Sequence, residues 1–104
     1  MDNFEIAVEG AQCRVELGVR LTATEVPVLQ DVLKKEISAG AKELVFDFDR
    51  VESLDSTGIG LLVAASNSMA GGKGTVQVLN VSSNIMKLLR SIRLVERLNA
   101  TEKG

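Results

Sequence analysis

Residues 44–60 read Leu44-Val45-Phe46-Asp47-Phe48-Asp49-Arg50-Val51-Glu52-Ser53-Leu54-Asp55-Ser56-Thr57-Gly58-Ile59-Gly60. The first five are apolar nearly throughout, with the β-branched and aromatic character of a strand covered on at least one face, and they belong in mid-sheet. From residue 57 to residue 70 the composition turns to Ile, Leu, Val and Ala with few charges. That is expected of a helix packing most of its circumference, with Ser66, Asn67 and Ser68 on its wetter side. A polar loop joins the two. A strand that feeds a helix through a short loop and returns to another strand makes a right-handed crossover between parallel strands, so this stretch sets an α/β fold.

Beyond the helix, Gly71-Gly72-Lys73-Gly74 supplies a stop, and residues 75–81 alternate as another strand. Ser82, Ser83 and Asn84 offer caps for a last helix that carries Ile85, Leu88, Leu89 and Ile92 inward and Lys87, Arg90 and Arg93 outward. On the other side, Phe4, Ile6 and Val8, then Cys13, Val15 and Leu17, alternate with Glu5, Ala7, Glu9, Arg14 and Glu16. This is the period of two half-buried strands, with Gly10 and Ala11 as their turn. Val26, Leu29, Val32 or Leu33, and Ile37 then recur at helical spacing. Thr22 or Thr24 can cap that helix, Pro27 fits its first turn and Gly40 ends it. The expected architecture is one domain over residues 1–104, a mixed, mostly parallel sheet of four to five strands with helices on one face or asymmetrically placed.

Composition removes whole classes of function. With 12 basic and 14 acidic residues among 104, the net charge of −2 gives no footprint for phosphate backbones or anionic lipid, so neither nucleic acid nor membrane is expected as a partner. One cysteine and no histidine exclude a disulfide framework, ordinary zinc sites and Ser-His or Cys-His pairs. Cys13 takes an inward strand position and reads as core. No apolar run approaches the roughly 18 residues that span a bilayer, and the N-terminal ten residues lack a signal-like apolar segment, which implies a cytoplasmic address. Gly71-Gly72-Lys73-Gly74 is too short for a phosphate loop and lacks Ser or Thr after the lysine, so it is a plain turn. No cofactor and no small-molecule substrate are expected.

The chemistry must therefore lie in the polar loop. In an α/β sheet such a loop sits at a strand's carboxyl edge, where a helix start presents unpaired N–H groups and a positive dipole end that suit a phosphate. On spacing alone, Asp55 or Ser56 is an N-cap, and Gly58 and Gly60 permit close helix-on-strand packing.

Leu54-Asp55-Ser56-Thr57-Gly58-Ile59-Gly60 closely resembles the signature of STAS domains, in particular the bacterial anti-sigma factor antagonists of partner-switching systems. The resemblance extends along nearly the whole chain. Val45-Phe46-Asp47-Phe48 looks like the family's third strand, Pro27-Val28-Leu29 its first helix entry and Leu88-Leu89 its last helix. It implies that Ser56 is the phosphoacceptor, Asp55 its acidic neighbour, Thr57 a second hydroxyl, and Gly58 and Gly60 the small residues that let a partner approach. Thr22 and Asp49 complete the implied partner surface. The implied partners are a GHKL-type anti-sigma serine kinase and a PP2C-type phosphatase, and the chain would be no enzyme, with no catalytic residue of its own. Two departures stand out: Thr22 occupies a position where many relatives carry an aspartate, and Ile92-Arg93-Leu94 replaces the usual glycine-leucine pair. The alternative is a non-phosphorylated STAS scaffold in a stress-sensing or transport-associated complex. Lys87, Arg90, Arg93 and Arg97 either meet an acidic partner or form a solvated helix face.

Overall fold

The computed structural model describes residues 4–104; Met1, Asp2 and Asn3 lie outside the described residues. Strands β1 (Phe4–Glu9) and β2 (Gln12–Leu17) form an antiparallel hairpin closed by Gly10 and Ala11, with Glu9 opposite Gln12. Gly10 has φ +60°, the left-handed conformation that two-residue hairpin turns require. There follow β3 (Arg20–Leu21), α1 (Val26–Ser38), β4 (Glu43–Asp47), β5 (Ser53–Leu54), α2 (Ser56–Gly71), β6 (Thr75–Val81), α3 (Ser83–Ser91) and β7 (Ala100–Glu102). The main sheet has the order β1-β2-β4-β6-β7, antiparallel only at β1–β2, and β4 is its centre. A separate parallel pair, β3–β5, sets Arg20 opposite Ser53 and Leu21 opposite Leu54.

Strand alternation divides the sheet into two unlike faces. One carries Cys13, Val15, Leu17, Leu44, Phe46, Val76 and Val78, and all of these join a single core cluster with residues from α1 (Val26, Leu29, Leu33), α2 (Leu61, Leu62, Ala65, Met69) and α3 (Ile85, Met86, Leu89). The helices therefore cover one face. The other face carries Gln12, Arg14, Glu16, Glu43, Asp47 and Gln77, tied across strands by Gln12–Glu43 (2.6 Å) and the Arg14–Asp47 ion pair (3.0 Å). Cys13 is fully buried in the core, where burial pushes its thiol pKa up.

The helices end alike. At α1, Gly40 N–H donates to the Ile37 carbonyl and Ala41 N–H to Glu36; at α2, Lys73 donates to Ala70 and Gly74 to Met69; at α3, Arg93 donates to Arg90 and Leu94 to Leu89. These are paired Schellman bonds, with a left-handed residue at the turn: Gly40 (φ +108°), Lys73 (φ +63°) and Arg93 (φ +59°). Arg93 thus occupies the position where glycine is the favoured residue, which gives the Ile92-Arg93-Leu94 departure its physical meaning.

Several expectations need correction. Helix α2 buries one stripe, Gly58, Leu61, Leu62, Ala65 and Met69, and exposes Ser56, Thr57, Gly60, Ala64, Asn67, Ser68 and Ala70. Its scarcity of charge reflects small outward residues instead of burial all round. Ile92 lies just past the end of α3 and is exposed, while Met86 takes an inward place beside Ile85 and Leu89. Thr24 caps nothing: Glu25 is the residue preceding α1, and Thr22 contributes through its carbonyl, which accepts from Glu25 N–H and Val26 N–H, both at 3.0 Å. Strands β3, β5 and β7 were not anticipated, since two or three residues carry no legible period.

Candidate functional site

The start of α2 is fixed by one carboxylate. Asp55 is its N-cap, in extended conformation, and its Oδ1 accepts from Gly58 N–H at 2.9 Å. Its Oδ2 accepts from Ala23 N–H, 32 residues away, at 3.0 Å. The Gly58 bond first, and then the Ala23 bond, hold the Asp55 pKa below the usual carboxylate value. This settles the cap in favour of Asp55 and leaves Ser56 as the first helical residue. Ser56 and Thr57 are both exposed, and neither hydroxyl is held by a hydrogen bond among the described residues.

The two glycines differ in kind. A Cβ on Gly58 would stand 2.2 Å from the Leu21 carbonyl oxygen and 2.8 Å from Leu54 Cδ1, so only glycine lets α2 lie this close to the β3–β5 pair. A Cβ on Gly60 would meet nothing within 4 Å. Packing explains Gly58, which faces inward and offers a partner no surface; it does not explain Gly60, which faces out.

Beside the Asp55–Ala23 bond lies the turn 22–25. Thr22 N–H and Oγ1–H donate to Glu25 Oε1 at 2.9 and 2.6 Å, closing the turn ahead of α1 with the same spacing as the returning half of a capping box. Glu25 is buried, its side chain 2% exposed; its Oε2 has no hydrogen-bond donor among the described residues and lies 3.8 Å from Arg20 Nε. The Thr22 hydroxyl bond is the main cause that holds the Glu25 pKa low, against the opposing effect of burial. Sequence reasoning missed Glu25, Arg20 and Ala23, although the Thr22-x-x-Glu25 spacing is a signal that could have found the first.

Asp49 is not drawn into this group. Its carboxylate lies 3.1 Å from Lys103 Nζ, which also donates to the Asp49 carbonyl at 2.7 Å, so it belongs with the strand after α3. Asp47 has both oxygens occupied, by Asp49 N–H, Asn80 Nδ2 and Arg14 Nη2. Burial alone would raise its pKa; the bonds from Asn80, Asp49 and Arg14 outweigh that and lower it. Among the four basic residues of the last helix region, Arg90 lies 3.7 Å from Glu102 and Arg97 donates to Asn67, while Lys87 and Arg93 are exposed. No helix among the described residues is long and apolar enough to cross a membrane.

A family model described as "Mlab, STAS domain" matches residues 4–99. The chain is 26% identical over 100 residues to the anti-sigma-B factor antagonist of Staphylococcus aureus, covering 96% of this chain and 93% of that protein. Its fold is that of the anti-sigma factor antagonist SpoIIAA in its unphosphorylated form (TM-score 0.75, 20% identity, 92% of this chain and 97% of that one). It is likewise that of the Bacillus cell fate determinant SpoIIAA in the phosphorylated form (TM-score 0.80, 20% identity, 97% and 91%). The one-sided helical layer, the glycine that seats α2 on β3–β5 and the match across residues 4–99 agree: the chain belongs to the STAS-domain family.

Proposed function

We propose that this chain is an anti-sigma factor antagonist in a partner-switching system. Unphosphorylated, it binds a GHKL-type serine kinase that doubles as an anti-sigma factor, and so frees the sigma factor; the kinase ends the binding by phosphorylating Ser56, and a PP2C-type phosphatase restores it. The observation that carries this reading is Ser56 itself: an exposed hydroxyl without a hydrogen-bond partner among the described residues, on the first turn of a helix whose start Asp55 anchors. The likeness over 96% of the chain to a protein named as an anti-sigma-B factor antagonist supports it.

In phosphoryl transfer of this kind the ATP, Mg²⁺ and base belong to the kinase, and the chain supplies only the acceptor oxygen; it acts as ligand and substrate in the cytoplasm, not as a catalyst. A phosphate adds about −1.5 to −2 charges at neutral pH, next to the Asp55 carboxylate. A partner seated there loses contact through repulsion and wetting. Gly60 supports the same surface, because it keeps the outward side of the first α2 turns free of side chain without any internal need to do so. Thr22 and Thr57 are assigned as contact residues, Asp55 shapes the start, and Gly58 acts indirectly by seating the helix; Asp49, paired with Lys103, is left outside this surface.

The test is displacement. A preformed complex of sigma factor with the anti-sigma kinase is titrated with the unmodified chain, then with the chain phosphorylated at Ser56. Release of sigma factor by the first and not the second is expected; equal release by both would refute the reading.

A further inference from the structure

The two edges of the main sheet are unlike. At one end β7 is three residues long and runs directly into Lys103, features that discourage further strand pairing. At the other end β1 is six residues long, pairs with β2 in unbroken register, and has no strand on its outer side among the described residues. It contains no proline, no lysine and no bulge, so none of these devices protects it. The two-residue turn makes Glu9 and Gln12 a hydrogen-bonded pair, so residues 5, 7 and 9 direct their backbone groups at β2. The N–H and C=O groups of Phe4, Ile6 and Val8 therefore point outward along the free edge. The core is unfinished at the same place. Phe4 and Ile6 are only half-buried, Val8 is 56% exposed, and a cavity of about 210 Å³ lies between Val8, the β1–β2 turn and the end of α1 at Glu36 and residues 39–41.

We infer that β1 is a dimerisation edge: a second copy of this chain adds its own β1 antiparallel to it, continuing the sheet across a twofold axis at Ile6. The strand's own sequence selects this occupant and this register. Side-chain alternation requires inward residues to meet inward residues, which leaves few ways to align the two strands. With Ile6 opposite Ile6 of the second copy, Phe4 meets Val8 of the second copy and Glu5 meets Ala7 of the second copy, so no like charges are opposed. The neighbouring registers set Glu5 against Glu5 of the second copy, or Glu5 against Glu9 of the second copy, and both are penalised. Only the register centred on Ile6 pairs residues 4–8 along their length and keeps the carboxylates apart. It also joins the outward backbone groups of Phe4, Ile6 and Val8 to their counterparts. Phe4 of the second copy comes beside Val8, on the side of the cavity, where its ring adds apolar cover to the half-closed core. No residue of the Ser56 surface takes part, so the dimer carries that surface twice and the inference stands apart from the phosphate reading.

The test is self-association of the full chain, followed by sedimentation equilibrium up to about 1 mM, a concentration that populates even a weak dimer. A concentration-dependent dimer is expected. Ala7→Glu sets a carboxylate opposite Glu5 of the second copy at both symmetric places, yet within its own chain it faces Arg14, so the fold is not impaired. It should weaken the dimer by about tenfold, and Ala7→Lys, which sets an ammonium against Glu5 of the second copy, should strengthen it by a similar factor. Val8→Pro removes an outward N–H that the β1–β2 ladder does not use and should leave a folded monomer. Circular dichroism checks the fold of each variant; if Val8→Pro does not fold, the two Ala7 substitutions still decide. A chain that stays monomeric throughout overturns the proposal, and so does a dimer that Ala7→Glu and Ala7→Lys leave equally strong, since its contact would lie elsewhere.

Discussion

A methyl group added at Gly58 and one added at Gly60 should move stability in opposite directions, although the positions are two residues apart in one helix. Both changes gain the same intrinsic helix preference, about 1 kcal/mol for Ala over Gly. At Gly60 nothing lies within 4 Å of the new Cβ, so the gain is realised in full. With about 4–8 °C per kcal/mol in a domain of this size, the thermal midpoint of Gly60→Ala should rise by several degrees. At Gly58 the new Cβ would stand 2.2 Å from the Leu21 carbonyl oxygen, a backbone atom of β3 that cannot rotate away. Overpacking costs typically about 1–3 kcal/mol, and against fixed backbone the upper end applies, leaving a net loss of about 2 kcal/mol. Guanidinium unfolding of both variants at fixed m gives the difference directly, about 3 kcal/mol between them. A Gly58→Ala protein as stable as the parent would refute the close approach of α2 to β3. A destabilised Gly60→Ala would refute the open outer face. In the functional account the stabilised Gly60→Ala variant is also the poorer ligand, because its methyl group stands where a partner docks.

Three further outcomes follow from the same geometry. Arg93→Gly removes a side chain from a left-handed position at the end of α3 and should stabilise by about 1 kcal/mol, seen as a higher thermal midpoint. Asp47 and Glu25 have pKa values lowered by folding, so the unfolded chain binds more protons in the acid range. Their contribution is complete above the unfolded values of about 4 and is lost as pH falls through the lower folded ones; a denaturant midpoint that is flat from neutral pH to about 5 and falls below about 4 is expected, with a shallower fall in Asp47→Asn. Ser56→Ala, at an exposed site without bonds, should leave stability within about 0.5 kcal/mol, while Ser56→Asp should fold as well or slightly better, by the dipole at the helix start, and bind the kinase less tightly. A markedly unstable Ser56→Ala would mean that the hydroxyl has a structural partner.

The parts of the fold that were legible in sequence are those with a period long enough to read. The alternation through Cys13, Val15 and Leu17, the apolar run ending at Phe48 and the spacing of Leu29 and Leu33 gave the hairpin, the central strand and α1. Helix α2 misled, because Gly60 and Ala64 look apolar in sequence and are only small; absence of charge does not distinguish a buried face from a bare one. The glycines at 58 and 60 looked equivalent for the same reason, and only the position of the Leu21 carbonyl separates them. Ala23 could not be found, since its part is played by a backbone N–H that any residue but proline supplies. The resemblance put Asp49 on the same surface as Ser56, whereas Lys103, far away in sequence, draws its carboxylate elsewhere.

The central claim is that Ser56 accepts a phosphate from the protein it binds. Intact-mass measurement of the chain after incubation with ATP, Mg²⁺ and candidate GHKL kinases from the same genome tests it directly, with Ser56→Ala beside it. A gain of one phosphate that the variant does not show is the expected result. Stable kinase binding with no phosphate gained, or a phosphate that persists in Ser56→Ala, would contradict the claim, and the first of these would mark the chain as an unmodified scaffold.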